Sequence, residues 1–196
     1  MRHQRMTEEK AKRLITLALP LKSEYPLDDE ATFKLFQNAD TDGIFMMETD
    51  WDKYDLKQIK PANIDELTVT LALSHGPALN PYIYTYIKRN HIKPFTYPIM
   101  VEIPEIASIL ADTRGMLLWK EQKEDILNYI DSLTEEQRNQ YRMPIRVIVR
   151  DIELRKHSLS CRKFFKDRAL LCYKSAYLKV HHRDYFDWFS HFQQDF

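Results

Sequence analysis

Asn38, Asp40 and Asp42 place oxygen ligands at alternate positions, and Gly43 follows where a calcium-binding loop would turn. Such a loop needs a bidentate carboxylate at its twelfth position, which here is Thr49, with Glu48 one residue early. Without that ligand a hard cation loses most of its hold, so the stretch reads as a turn. His181, His182, His191, Cys161 and Cys172 are potential zinc ligands, but none is spaced as a C-x2-C or H-x3-H pair. Three glycines cannot build a phosphate-cradling loop, and no serine lies in a G-x-S-x-G turn. Glu121, Glu124 and Asp125 cluster as a solvated helix face would. These residues imply no cofactor and no metal.

The chemistry-bearing stretch that stands out is cationic. Arg162, Lys163, Lys166, Lys174 and Lys179 alternate with Phe164, Phe165, Tyr173 and Tyr177. On a helix, positions 163, 166, 170 and 174 share one side, cationic apart from Leu170. Lysines in such a row neutralise phosphates without reading bases. The aromatics suit a core better than base stacking. The whole chain is neutral, yet residues 138–183 carry 13 Lys and Arg against 3 Asp and Glu, while residues 1–137 carry 16 against 23. The basic segment either faces a polyanion or docks on the acidic N-terminal part.

The elements that must position these residues are mostly helices. Residues 7–19 have helical apolar spacing and stop at Pro20. Pro26-Leu27-Asp28-Asp29 opens a helix to about Asn38. Asn38–Gly43 is turn chemistry, and Ile44–Met47 is a short apolar run suited to a strand. Asn63 and Glu66 form a capping box for a helix to about Ser74, ended by Gly76-Pro77. Further helices are predicted over 81–90, from Pro104 to about Asp112, and over 117–131. Thr134–Gln137 is a second capping box whose short helix is broken at Pro144. Ile145–Ile152 is β-branched and partly alternating, and reads as either strand or helix. Residues 161–180 and 184–193 close the chain as two helices. There is no repeat, low-complexity segment or evident linker.

The 196 residues, 44% hydrophobic and 30% charged with abundant aromatics, suit one folded, helix-leaning domain. The two cysteines, eleven apart on one helix, are placed too far apart for a mutual disulfide and fit a reducing cytoplasm. Leu14–Leu19 is too short, and too close behind Glu8 and Glu9, for a signal peptide. No run approaches a membrane span.

Six ordered stretches resemble the fingers region of the bacterial replicative DNA polymerase III alpha subunit, a C-family polymerase. Pro26–Asp29, Thr32–Phe36, Asp40–Phe45 and Glu48-Thr49 together resemble the family's "PLDD…T…LL…GDT.GVFQ.ES". Leu56–Leu73 resembles "L..LKP..FEDLIA..AL". His75-Gly76-Pro77 stands where the family has Arg-Pro-Gly-Pro. Tyr86–Arg89 resembles "YI.R", Leu110–Gln122 resembles "L..TYGV.VYQEQ", and Ala169–Phe189 resembles "AL.AY.TAYLK.HYP.EF".

The resemblance implies a mostly α, single helical fingers-like domain over 26–196, with room for one or two short strands, behind an N-terminal helix or extension over 1–25. It also marks departures. The family's metal-holding palm aspartates lie upstream of the fingers and have no counterpart in these residues, so stand-alone polymerisation is not expected. The arginine expected to hold the incoming nucleotide is missing, and Ser74-His75 stands there; Arg89 is kept but is followed by Asn90. The family's Lys-Ser-His reads Arg162-Lys163-Phe164, and the segment from Gln122 to Cys161 is shorter.

The expectation is a cytoplasmic, non-catalytic fingers relative that binds DNA or the replication machinery. Arg162, Lys163, Lys166, Lys174 and Lys179 are the phosphate contacts, and Arg89 with His75 is a residual nucleotide or anion site. The alternatives are a protein–protein module or decoy for a polymerase, and a split polymerase half completed by a separate palm chain.

Overall fold

A computed structural model describes residues 6–18, 25–76, 81–91 and 102–192. The described residues are mostly helical. In chain order they form α1 (Glu8–Ala18), α2 (Glu30–Asn38), α3 (Asp50–Ile59), α4 (Ile64–His75), α5 (Pro81–His91), α6 (Pro104–Ile109), a 3-10 turn (Ala111–Thr113), α7 (Lys120–Ser132), α8 (Glu135–Gln140), α9 (Arg142–Arg155), α10 (Arg162–His181) and α11 (Arg183–Phe192). None is long and apolar enough to cross a membrane. The contacts divide the chain into two compact units, one of residues 1–74 with 164–196 and one of residues 75–163.

The first unit is held by caps as well as by its core. Asp29 accepts from Thr32 N at 2.7 Å and starts α2. Thr49 and Asp52 form a reciprocal capping box that starts α3, a helix not among those predicted from the sequence. Asn63 accepts from Glu66 N at 2.9 Å, so the predicted side-chain cap of α4 is present, while the Glu66 carboxylate accepts from Ala62 N at 2.8 Å, one residue before the cap, in place of the second bond of a capping box. Leu67–Leu73 is buried on every side. The hydroxyls of Thr68 and Thr70 therefore donate back to the carbonyls of Ile64 and Glu66, each at 2.7 Å. Phe36, Ile44, Leu56, Leu67, Leu71, Tyr173 and Leu178 form the interior.

Between α2 and α3 the chain turns twice, so Ile44–Met47 is not a strand. Ile44, Phe45 and Met47 are nonetheless buried, which is why the run is apolar. Gly43 has φ +77°, and a Cβ there would stand 3.0 Å from the Phe186 ring.

The second unit packs Ile106, Leu110, Ile126, Ile130, Ile148 and Ile152 into one core. Residues 145–152 are helical within α9. Their apolar positions 144, 148 and 152 recur every fourth residue on the buried side, and the tertiary contact overrides β-branched propensity. Pro144 lies in the first turn of α9, where a missing N–H costs nothing, and the break from α8 falls earlier, at Tyr141. Among the described residues the isolated β-type pairing is a parallel bridge between Trp119 and Ser160.

Gln122 organises the entry to α7. Its Oε1 accepts from Leu118 N and Trp119 N at 3.0 Å each. Its Nε2 donates to Thr113 Oγ1 at 2.8 Å, Asp112 Oδ1 at 3.1 Å and Ile109 O at 3.3 Å.

Candidate nucleic-acid interface

Helix α10 carries the five cations singled out in the sequence, and the fold treats them differently. At about 100° per residue, Lys163, Lys166 and Lys174 fall within about 80° of one another on the helix, and Lys179 falls on the far side. Lys163 and Lys166 are exposed and Lys174 is half-buried. Lys166 Nζ lies 3.2 Å from Asp65, with both side chains about half exposed. Lys174 Nζ stands 5.3 Å from the Tyr25 ring centroid, in a groove between α1 and α10 that Glu8, Lys12 and Asp167 also line.

Lys179 is 5% exposed and turned inward. Its ammonium donates to Asp40 O and Asp40 Oδ1 at 2.8 Å and to Asp42 O at 3.1 Å. These oxygens belong to the turn whose spacing resembles a calcium loop, and a resident ammonium neutralises them. The remaining acids of that turn are engaged as well. Asp42 takes Lys53 at 2.5 Å, and Glu48 accepts from Gly43 N at 3.0 Å and Met6 N at 2.8 Å. Among the described residues no group of three or more His, Cys, Asp and Glu side chains could hold a metal ion.

Arg162 is half-buried, with its guanidinium 2.8 Å from Asp112 and its backbone N–H on the Glu121 carboxylate at 3.1 Å. Arg168 lies 3.5 Å over the Phe164 ring and pairs with Glu8 at 3.2 Å. Lys12 and Arg168 together hold the Glu8 carboxyl below its ordinary range. Three α10 cations, Lys166, Arg168 and Lys179, thus meet carboxylates of residues 8–65. Part of the basic segment does dock on the acidic N-terminal part.

The aromatics of α10 are largely structural. Phe165 and Tyr173 are buried, and Phe164 is 46% exposed. Tyr173 donates to Pro26 O at 2.7 Å and accepts from Asp29 N at 2.9 Å, fixing the Pro-Leu-Asp-Asp stretch against the helix. His181 reaches Asp29 Oδ2 at 3.0 Å. Burial opposes ionisation of Asp29, but hydrogen bonds from His181 and Thr32 outweigh it and hold the carboxyl below its ordinary range. Both cysteines are free thiols. Cys172 donates to Phe45 O at 3.0 Å, and burial pushes its thiol far up.

His75 ends α4, exposed to solvent. Arg89 belongs to α5, but its side chain lies outside the described residues, as does any nucleotide site it forms. Arg142, Arg146 and Arg150, three exposed arginines at four-residue spacing on α9, are not among the cations singled out from the sequence. The spacing was available, but only to a helical reading of 145–152.

The model for the bacterial DNA polymerase III alpha subunit finger domain matches residues 2–161. DNA polymerase III subunit alpha of Aquifex aeolicus is 40% identical over 101 residues, 50% of this chain and 8% of that protein. The same subunit of Mycoplasma pneumoniae is 36% identical over 122 residues, 62% of this chain and 14% of that protein. Error-prone DNA polymerase 1 of Agrobacterium fabrum is 29% identical over 192 residues, covering 82% of this chain and 17% of that protein. This chain therefore spans a small fraction of each of these relatives.

Proposed function

This chain belongs to the family of bacterial DNA polymerase III alpha subunit finger domains, and from that premise we propose that it binds the DNA phosphate backbone through the outer side of α10 and performs no bond-making step itself. The observation that carries the reading is the row of Lys163, Lys166 and Lys174 on one side of that helix. From Lys163 to Lys174 the row covers eleven residue steps, about 16 Å of helix rise. The Lys166–Asp65 pair is exposed at both ends. Such pairs contribute about 0–1 kcal/mol, so a phosphate can replace the carboxylate at little cost.

Lys179 has no part in this surface, and Arg162 is committed to Asp112. His75 and Arg89 enter the proposal as a separate anion site, on the strength of the family resemblance alone. A partner in the replication machinery is the second reading. It draws on the pairing of Arg162, Arg168 and Lys179 within the fold, which leaves less cationic surface than the composition suggests.

Titrating labelled primer–template DNA with the protein at several salt concentrations tests the proposal. Three phosphate contacts should give log K falling with log salt at a slope of about −2 to −3. A flat dependence, or no binding at low salt, would remove DNA from the account and leave the protein-partner reading.

A further inference from the structure

Helix α9 has a second face that the proposal above does not use. Pro144, Ile148 and Ile152 are buried, while Met143, Val147 and Leu154 point to solvent at 64%, 44% and 76% exposure. At about 100° per residue these three fall within about 40° of arc, and Arg142, Arg146 and Arg150 occupy the adjoining 80° or so. None of the three arginines makes an ion pair or hydrogen bond with a described residue. The exposed acid on this side, Glu153, is neutralised by Lys156 at 3.3 Å. The face is therefore an aliphatic stripe edged by a row of guanidinium groups that no described residue pairs with. Exposed aliphatic patches of this kind mark protein contacts, and arginine is among the residues enriched at them.

We propose that this face docks an acidic amphipathic helix of a protein partner. The partner's apolar seam would cover Met143, Val147 and Leu154, and its flanking carboxylates would pair with Arg142, Arg146 and Arg150. Charge selects this occupant. A second copy of the same helix would set arginines against arginines. A nucleic-acid strand would satisfy the arginines but leave three aliphatic side chains in water. The fourteen residues of α9 extend about 21 Å, long enough to seat a partner helix of about four turns.

The test uses the full chain and a labelled synthetic helix with a leucine seam flanked by glutamates, against a scrambled peptide of the same composition. The designed helix should bind and the scrambled one should not. Leu154→Ser with Met143→Ser should weaken binding by about tenfold or more. Arg146→Glu with Arg150→Glu should abolish it. All four residues are exposed, so the variants should keep the wild-type circular dichroism. Equal binding of the two peptides, no binding of either, or indifference to the Leu154 and Met143 changes would overturn the inference. So would loss of primer–template binding on reversing Arg142, Arg146 and Arg150, because the face would then belong to DNA. The inference does not depend on α10 binding DNA, so either can fail alone.

Discussion

At the scale of single residues, the inward ammonium of Lys179 separates structural charge from surface charge on α10. It satisfies two backbone carbonyls and a carboxylate in the turn at 40–42. Lys179→Met keeps the bulk and removes the donors, and it should cost about 2–3 kcal/mol in urea unfolding while leaving DNA affinity unchanged. Asp29 gives a pH signature. Its carboxyl is depressed in the folded protein, so the stability it contributes is complete above the ordinary carboxyl range and is lost as pH falls through the folded value. Asp29→Asn exchanges a charged acceptor for a neutral one of similar capping power, so it should lower stability at neutral pH by about 1 kcal/mol, with the deficit against wild type shrinking in acid, as followed by thermal melts. In the sequence, Lys179 and Lys166 looked alike, because composition and spacing reveal that cations share a helix but not which side faces the core. Tyr173 was legible as core; its two hydrogen bonds to 26–29 join residues too distant in sequence for any local pattern to reveal.

At the scale of elements, local chemistry was the reliable guide where it existed. The side-chain cap at Asn63 and the capping box at Thr134 mark real helix starts. The box at Thr49 was overlooked because Asp52 fills the place usually held by Glu or Gln. Residues 145–152 were ambiguous because β-branched side chains pull toward strand while a four-residue apolar repeat pulls toward helix, and burial against the second unit's core decides. Gln122 is marked in the sequence only as the last residue of the stretch that resembles the family pattern, with nothing to show its role, yet it ties residues 109–119 to α7 through five hydrogen bonds. Gln122→Glu is nearly isosteric but turns an oxygen toward Ile109 O and Asp112. It should destabilise the protein by about 2–3 kcal/mol, visible as a lower melting temperature, whereas a solvent-exposed amide would tolerate the change.

At the scale of the whole molecule, neutrality conceals a division of labour among charges. The acidic N-terminal part meets Lys166, Arg168 and Lys179 within the first unit, and this engages three of the thirteen Lys and Arg residues of the basic segment that suggested a polyanion partner. Lys163 and Lys166 of α10 and the three arginines of α9 are exposed; we assign the outer row of α10, with the half-buried Lys174, to DNA and the α9 arginines to an acidic helix. The two-unit partition left no trace in composition, because the first unit is assembled from both ends of the sequence and no linker marks the junctions. The central claim is that α10 contacts DNA through Lys163, Lys166 and Lys174. Its most direct test is primer–template affinity of the variant with all three changed to Glu, measured beside wild type at low and moderate salt with circular dichroism as the control for folding. The account predicts that the variant loses binding and its salt dependence while keeping wild-type helicity; wild-type affinity in the variant would contradict it.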